Sequence, residues 1–458
     1  MSTSLPDLTL EETRAALRRG EVSPREVAAG YLEAINRWEP ALSSFRSVSE
    51  DLVHQVSRLV EDEIQKGVPR PLAGIGVSVK DNIDVAGLHT TAGSSWLNEQ
   101  AADNAECWRR VELSGAVHIG KTNLHEFAYG ATNVNHKAQT TRNPWDRRHI
   151  CGGSSGGSAV SVATGSCSAS LGTDTGGSVR IPAALTGVTG FKPTLGRIPT
   201  SQVFPLSPSC DTIGVLSRTA TGCAHIFRSL VLDDPIEPDS PLRPSLRGAR
   251  LGVVMSHVSR SSPAVGDVFR RALDVVEGLG ATVEPFELLH EEESCLTTRT
   301  IVAFEAAQVH RRWLRDRRED YGDDVRARLE AGLAVSSRRY RVAREERREL
   351  AAKMLESQRR FDAVIGPTVP ITAPRVEDCT PARAADMQAA LLANTYCFNV
   401  TGQPAISVPC GMANDGLPVG LQMAAAPGRD GEVLSIARAL QEATEWHRRR
   451  PSLEGLRQ

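Results

Sequence analysis

The sequence carries almost no net charge, because its 53 lysines and arginines nearly balance its 55 aspartates and glutamates. Such a balance gives no electrostatic reason to expect binding to nucleic acid or to an anionic membrane. The sequence also lacks any apolar run close to the roughly 18 residues that a membrane-spanning helix requires. Its first residues contain neither the basic region nor the apolar region of a secretion signal. We therefore expect no nucleic-acid partner, no membrane insertion and no export.

Cysteine is scarce and shows no pattern. There are nine, an odd number, with no C-x-x-C pair and no clustering with histidine. This excludes a disulfide scaffold and favours free thiols in a reducing compartment. The apolar share of 40% and the charged share of 24% are those of a folded globular chain. The resulting expectation is a cytoplasmic enzyme.

The first seventy residues have helical patterns. Ser23 and Pro24 supply an N-cap and a proline at the first helical position, and residues 48–66 carry apolar side chains at helical spacing before Gly67. At 458 residues the chain exceeds one typical domain of roughly 100–200 residues. We expect a helical segment over 1–70, packed on one large catalytic domain over 71–458.

From Leu72 the apolar pattern changes to that of buried strands. The first run ends at a polar tip, Lys80, and helical patterns lie between most of the later runs. The further predicted strands are Ala116–Gly120, Leu251–Met255, Phe361–Gly366, Ala405–Pro409 and Val419–Met423. Strands that alternate with helices over this length predict an α/β fold whose sheet is covered by helices on both faces.

Residues 151–199 are rich in glycine, serine, threonine and alanine. A flexible linker is one interpretation of such composition. Hydrophobic residues recur throughout the block, however, from Val160 to Phe191. Small residues at this density allow sharp turns and close backbone packing, which the floor of an active site requires.

Two serine loops lie in this block, at Gly152–Ser158 and Gly172–Arg180. A serine nucleophile needs a base and N–H donors for the oxyanion that develops during attack. Residues Thr175–Ser178 can point successive backbone N–H groups into one concavity. Asp174 and Arg180 flank this run, and we expect them to form a structural ion pair that orients it.

The base is the remaining requirement. Histidine usually serves, but none of the eleven histidines lies in a recognisable nucleophile motif. Lys80 ends an apolar strand, where burial disfavours the charged amine and lowers its pKa. A neutral Lys80 is therefore a candidate base.

Other interpretations of these segments are weaker. Gly152–Ser158 lacks the G-x-x-x-x-G-K-[ST] pattern of a phosphate-binding loop, and His125-Glu126 does not begin an H-E-x-x-H zinc motif because position 129 is tyrosine. Cys151 beside the first loop is expected to be a packing residue. Glutamates interleave the arginines between Arg338 and Arg360, which indicates a solvated helix rather than a nucleic-acid surface.

Several motifs, in this order, resemble the amidase signature family of serine hydrolases, whose triad is Ser–cis-Ser–Lys. They are Lys80-Asp-Asn, Gly120-Lys-Thr-Asn123, Arg142-Asn-Pro144, both serine loops, Gly190-Phe-Lys-Pro-Thr, Gly366-Pro-Thr368, Gly402-Gln-Pro-Ala and Gly416-Leu-Pro-Val. The continuous part of the resemblance covers Leu72 to Pro199. It implies a single α/β/α domain with a large mixed sheet, and no metal or organic cofactor.

The resemblance also implies roles for individual residues. Ser178 matches the nucleophile that forms the acyl-enzyme, and Lys80 matches the base. Ser154 matches the serine that follows a cis peptide bond and relays the proton, with its neighbour Ser155 as the competing candidate. The backbone N–H groups of Thr175, Gly176, Gly177 and Ser178 match the oxyanion hole.

The expected function is hydrolysis of the C–N bond of a carboxylic amide by a free-standing amidase, with an ester, anilide or carbamate as further substrates. The substrate pocket is expected to involve Phe127, Tyr129 and Gly130. The partners expected are a small-molecule amide and, because relatives associate through outer helices, a second copy of the chain.

The alternative is the glutamine-hydrolysing component of a tRNA-dependent amidotransferase. In that protein an arginine holds the substrate carboxylate and a late acidic residue holds the amine, which corresponds to Arg347 and Asp430 here. The stretch before Glu305 lacks the tyrosine pair expected of that component. The free-standing amidase is therefore favoured at this stage.

Overall fold

The computed structural model describes residues 5–68, 70–231 and 245–452. Its first long helices begin at the caps that the sequence predicts. The Ser23 hydroxyl accepts a hydrogen bond from the Glu26 N–H at 3.2 Å, and Pro24 is the first residue of the helix that follows. This satisfies a backbone donor that the start of a helix otherwise leaves unpaired.

The described residues contain fifteen α-helices. They are α1 Leu10–Arg18, α2 Pro24–Leu42, α3 Glu50–Gln65, α4 Glu106–Leu113, α5 Gly156–Ala163, α6 Arg180–Thr186, α7 Ala220–Leu230, α8 Met255–Ser259, α9 Pro263–Gly278, α10 Glu291–Asp316, α11 Asp323–Leu333, α12 Ser337–Gln358, α13 Ala384–Leu392, α14 Cys397–Val400 and α15 Asp430–Glu442. No helix in these ranges combines the length and apolar character needed to cross a bilayer.

The strands form one large sheet and one small ribbon. They are β1 Phe45–Ser47, β2 Gly76–Lys80, β3 His89–Thr90, β4 Glu99–Gln100, β5 Val117–Thr122, β6 Ala169–Thr173, β7 Thr189–Lys192, β8 Ile213–Ser217, β9 Arg250–Val254, β10 Thr282–Phe286, β11 Ala363–Pro367, β12 Ala405–Met412 and β13 Pro418–Ala424. The large sheet has 11 strands in the order β1-β5-β2-β6-β8-β7-β12-β13-β11-β9-β10, and β3 pairs with β4.

The large sheet is mixed. β2 runs parallel to both of its neighbours, β5 and β6, whereas β8, β7, β12 and β13 pair antiparallel in the centre. Helices flank the sheet, so the predicted α/β fold with a large mixed sheet is confirmed. The predicted strands are confirmed as β2, β5, β9, β11, β12 and β13, with ends that differ by a few residues.

The glycine- and serine-rich block is the centre of the molecule rather than a linker. It forms α5, β6, α6 and β7, and the helix and strand residues in these elements are buried. The parallel pairing of β2 with β6 brings their carboxyl ends to one edge, because Val79 lies opposite Leu171. Lys80 and Thr173, the last residues of these two strands, therefore meet at that edge.

Candidate active site

Lys80 lies in a buried polar cluster at the ends of β2 and β6. Its Nζ is 2.8 Å from Ser154 Oγ and 2.7 Å from Thr173 Oγ1. Lys80 and Ser154 are fully buried. The structure therefore brings together the predicted base and the predicted relay serine, and the Gly153–Ser154 peptide bond that precedes this serine is cis.

Burial changes the acidity of this lysine. Loss of hydration lowers the pKa of Lys80 to about 7, while the more distant carboxylates of Asp211 and Asp174 act in the opposite direction. A lysine with such a pKa is partly neutral at physiological pH, and a neutral amine accepts a proton.

The two serine loops are connected to each other by their backbones. The Ser155 N–H donates to the carbonyl oxygen of Ser178 at 3.1 Å. The Ser155 hydroxyl turns away from Lys80 and donates to the Thr173 carbonyl at 3.1 Å. Of the two neighbouring serines, only Ser154 has a side chain within hydrogen-bond distance of Lys80 Nζ in the described chain.

The loop from Thr175 to Ser178 presents unused backbone donors. None of its four N–H groups donates to another group within the described residues. Gly177 has φ +138°, and a Cβ there would collide with the Thr395 side chain. The Thr395 hydroxyl donates to the Gly176 carbonyl at 2.7 Å, which directs that carbonyl away from the N–H groups. This arrangement suits an oxyanion, which needs preorganised N–H donors.

Asp211 is a site residue that sequence reasoning missed. Its carboxylate accepts a hydrogen bond of 2.6 Å from the Thr175 hydroxyl and others from the N–H groups of Leu206 and Ser207. Burial raises the pKa of Asp211 to about 6 despite these bonds. The only signal in the sequence was an acid next to the apolar strand β8, which has no recognised spacing to the serine loops.

Asp174 and Arg180 form the predicted ion pair. Both are fully buried, and the Arg180 Nη2–Asp174 Oδ1 distance is 3.0 Å. Burial alone would raise the pKa of Asp174, but the charge and hydrogen bonds of Arg180 outweigh it and hold the pKa at about 2. Arg180 also donates to Gln422 and to Asn399, so the pair fastens the serine loop to β13 and α14.

A cavity of about 280 Å³ opens beside Ser178. Its lining residues are Ala128, Tyr129, Gly130, Ala131, Thr175, Gly176, Ser178, Leu206, Arg299, Val302, Ala303, Arg328, Ala331, Ala385, Gln388, Ala389, Leu392 and Tyr396. A larger groove of about 700 Å³ lies among α1, α3 and α7. Ser178 does not line that groove, so the smaller cavity is the candidate substrate site.

Four predicted substrate residues divide between the cavity and its surroundings. Tyr129 and Gly130 line it. Phe127 does not, because its ring packs in an aromatic cluster with Trp96 and Tyr321. Arg347 also lies outside the lining residues, and it donates instead to the carbonyl oxygens of Val400, Ser209 and Asn399.

Asp430 does not reach the cavity either. Its carboxylate accepts hydrogen bonds from the N–H and the hydroxyl of Thr194, at 2.8 and 2.6 Å. Both charged residues predicted to hold glutamine therefore serve as backbone anchors in this structure. The cavity instead presents two arginines that the sequence did not single out, Arg299 and Arg328.

One buried cluster has metal-ligating side chains. His257, Glu291 and Cys397 offer ligand atoms within 4.8 Å of one another. The Glu291 carboxylate already accepts from His257 at 2.9 Å and from Arg260 at 2.9 Å. Its charge is thus balanced by Arg260, which is the arrangement of an ion pair inside the fold rather than of a metal centre.

Comparison with known proteins agrees with this geometry. A protein-family model described as Amidase matches residues 26–434. The A subunit of the glutamyl-tRNA(Gln) amidotransferase of Thermoanaerobacter pseudethanolicus is 32% identical, with 99% of this chain and 100% of that protein covered.

Two solved structures have the same fold. The structure of 6-aminohexanoate cyclic dimer hydrolase complexed with substrate gives a TM-score of 0.88 at 26% identity, covering 98% of this chain and 99% of that one. The glutamyl-tRNA(Gln) amidotransferase A subunit from Thermotoga maritima gives 0.79 at 30% identity, covering 96% of each chain. The chain belongs to the amidase family, as the resemblance implies, and is an enzyme that acts on carbon–nitrogen bonds other than peptide bonds.

The prediction about partners is wrong. Net charge and the resemblance predict a small-molecule amide, no nucleic acid and at most a second copy of the chain. Relatives that match nearly the whole chain are instead named as one subunit of a glutamyl-tRNA(Gln) amidotransferase, a name that contains both an assembly and a tRNA. Net charge fails as a guide because it averages a whole surface and carries no information about a partner chain.

Proposed function

We propose that this protein hydrolyses a carboxamide through a seryl acyl-enzyme, and that the amide is glutamine, as in the A subunit of a glutamyl-tRNA(Gln) amidotransferase. The observation that carries the chemistry is the 2.8 Å contact between Lys80 Nζ and Ser154 Oγ, next to the loop of Ser178. The names of the relatives that cover the chain support glutamine as the amide and an assembly as its setting.

In this proposal Ser178 Oγ attacks the carbonyl carbon of the amide. Ser154 accepts the proton of Ser178 and passes its own to neutral Lys80. The N–H groups of residues 175–178 stabilise the negative charge that develops on the carbonyl oxygen, an effect typically worth about 10²–10³ in rate per donor. The C–N bond then breaks, and the proton returns from Lys80 through Ser154 to the leaving nitrogen, which departs as ammonia.

The acyl group remains bound to Ser178 until water replaces it. Water gives up a proton along the same route and adds to the ester carbonyl, and Ser178 recovers a proton as the acid leaves. Lys80 is neutral again at the end of the cycle, so no cofactor enters the balance. Every transfer joins groups at the ends of β2 and β6 or in the serine loops.

The test is release of ammonia from glutamine by the purified chain, compared with Ser178→Ala and with Ser201→Ala as an exposed control serine. Turnover that is lost in Ser178→Ala and kept in Ser201→Ala supports the proposal. Ser178-dependent turnover of other amides without glutamine would point to a different acyl group. A serine-directed sulfonyl fluoride should label Ser178 even where turnover depends on a partner protein, and failure to label it contradicts the acyl-enzyme.

We also propose a cytoplasmic location. All nine cysteines are free, and eight of them are buried. Persistent free thiols are typical of a reducing compartment. Fractionation of cells that produce the protein tests this, and recovery from an exported fraction would contradict it.

A further inference from the structure

The cavity beside Ser178 has an unbalanced charge. Two guanidinium groups line it, and none of the lining residues within the described chain is acidic. Arg328 is neutralised, because its Nη2 lies 2.9 Å from the Asp324 carboxylate and it also donates to the Tyr129 carbonyl. Arg299 has no ion pair and no hydrogen bond to the residues that the structure describes.

Arg299 is held at the mouth of this cavity. It lies on the same side of α10 as Val302 and Ala303, which follow it by one helical turn and line the same wall. Its guanidinium stands over the ring of Tyr396, 5.8 Å from the centroid. A cation above an aromatic face is attracted to it, so the guanidinium is oriented although Arg299 is exposed.

A second donor belongs to the same wall. The Gln388 Oε1 atom accepts a hydrogen bond of 2.8 Å from the Ala131 N–H. This fixes the amide so that its NH₂ group is the end left for a ligand. The polar groups of the wall are therefore chiefly donors, which suits an anionic group and leaves an ammonium without a counter-charge.

We infer that the cavity selects carboxamides whose acyl portion ends in a carboxylate, and that Arg299 is the specificity-determining residue that receives it, with Gln388 as a second donor. The inference rests on the proposed function, since glutamine carries such a carboxylate. It goes further in one respect: the α-ammonium of glutamine contributes nothing to selection by this chain. A cavity near the lower end of the roughly 300–1,000 Å³ range of ligand sites also favours a short acyl group.

Four primary amides of five carbons separate these features. They are 4-carbamoylbutanoate with a carboxylate, pentanamide with no charge, 5-aminopentanamide with an ammonium, and glutamine with both charges. We expect kcat/KM to fall about tenfold from 4-carbamoylbutanoate to pentanamide and further to 5-aminopentanamide. Glutamine should be no better than 4-carbamoylbutanoate. The differences should shrink at high salt, because Arg299 is exposed and screened.

Variants assign the effect to one residue. Arg299→Met keeps the packing on Tyr396, and it should lower kcat/KM for 4-carbamoylbutanoate to that for pentanamide while leaving pentanamide within twofold. Arg299→Glu should reverse the order of the charged amides. Arg311→Met is the matched control, because Arg311 is exposed on the same helix and does not line the cavity.

The outcomes separate the two proposals. An equal loss for all four amides in Arg299→Met, or glutamine exceeding 4-carbamoylbutanoate tenfold, overturns the role given to Arg299 and leaves the acyl-enzyme intact. Absence of any Ser178-dependent turnover and of labelling by the sulfonyl fluoride overturns the proposed function itself. Retention of the carboxylate preference in Arg311→Met together with its loss in Arg299→Met supports the inference.

Discussion

Asp211 holds Thr175 through a 2.6 Å hydrogen bond from the Thr175 hydroxyl, and Thr175 begins the loop that ends at Ser178. Because the same carboxylate accepts the N–H groups of Leu206 and Ser207, it joins this loop to the segment on the other side of the cavity. The position of the backbone donors near Ser178 thus depends on an acid that touches neither Lys80 nor Ser154 directly.

Replacement of Asp211 tests this dependence. Asp211→Asn keeps the shape but offers one acceptor oxygen and adds a donor, so Thr175 and the two N–H groups can no longer all be satisfied. Hydrogen bonds to charged groups contribute about 1.5–3 kcal/mol, so we expect kcat to fall at least about tenfold, with a smaller change in KM. Steady-state kinetics measures this split, and Asp267→Asn, on an exposed helix surface, is the control. Unchanged kcat in Asp211→Asn would contradict the role.

The two neighbouring serines should behave differently. Ser154 Oγ contacts Lys80 Nζ, whereas Ser155 Oγ donates to the Thr173 carbonyl. We expect Ser154→Ala to lower kcat at least about 100-fold, since general acid–base transfer typically contributes 10²–10⁴. Ser155→Ala should lower kcat less than about tenfold and the melting temperature slightly. Measurement of both variants in parallel decides the assignment, and a larger kinetic loss in Ser155→Ala would reverse it.

Lys80 should give activity and stability opposite responses to its burial. Burial lowers its pKa to about 7, from 10.5 for an exposed lysine, so kcat/KM should rise with pH through about 7. The folded chain binds this proton less tightly than the unfolded chain does. Its contribution to stability is therefore present above pH 10.5 and is lost as the pH falls through 7.

Lys80→Met removes this titration. The variant should lose amide hydrolysis entirely, and its free energy of unfolding should depend less on pH between 7 and 10 than that of the wild type. Urea denaturation at several pH values measures the difference. Equal pH dependence of the two proteins in this range would show that the pKa of Lys80 is not depressed in the folded state.

The Asp174–Arg180 pair should matter to stability more than any surface pair. Arg180→Met leaves the buried Asp174 carboxylate without its partner, and loss of one member of a buried pair typically costs about 3–5 kcal/mol. Arg148→Met breaks an exposed pair with Asp146 and should cost less than about 1 kcal/mol. Chemical denaturation of both variants provides the comparison. A similar cost for the two would mean that Arg180 is dispensable to the fold.

The sequence predicts much of the fold because apolar runs report buried strands. β2, β5, β9, β11, β12 and β13 were expected, whereas β6, β7 and β8 were missed. In β6 and β7, Gly172 and Gly190 provide no side chain for a periodic pattern, since neighbouring side chains from α6 and the serine loop fill their space. The division of the chain at residue 70 stays a prediction.

The candidate site was predictable only where residues adjacent in the chain share a motif. Lys80, Ser154 and the loop of Ser178 fall in such motifs, and their roles stay predictions until the variants are measured. Asp211 and Arg299 reach the site through tertiary packing, from the loop before β8 and from α10, so no local pattern marks them. Arg347 was misplaced for the converse reason, because an arginine-rich helix offers many candidates and only packing selects which one faces the cavity.

The walls of the cavity and its chemical centre come from different parts of the chain. Lys80 and Thr173 end strands of the sheet, while α10, α11 and α13 supply Arg299, Arg328 and Gln388. A library that varies only the helical positions therefore leaves the proton route unaltered, and new acyl preferences can be screened on a constant background rate. The same separation makes this scaffold suitable for exchanging helices between relatives as cassettes.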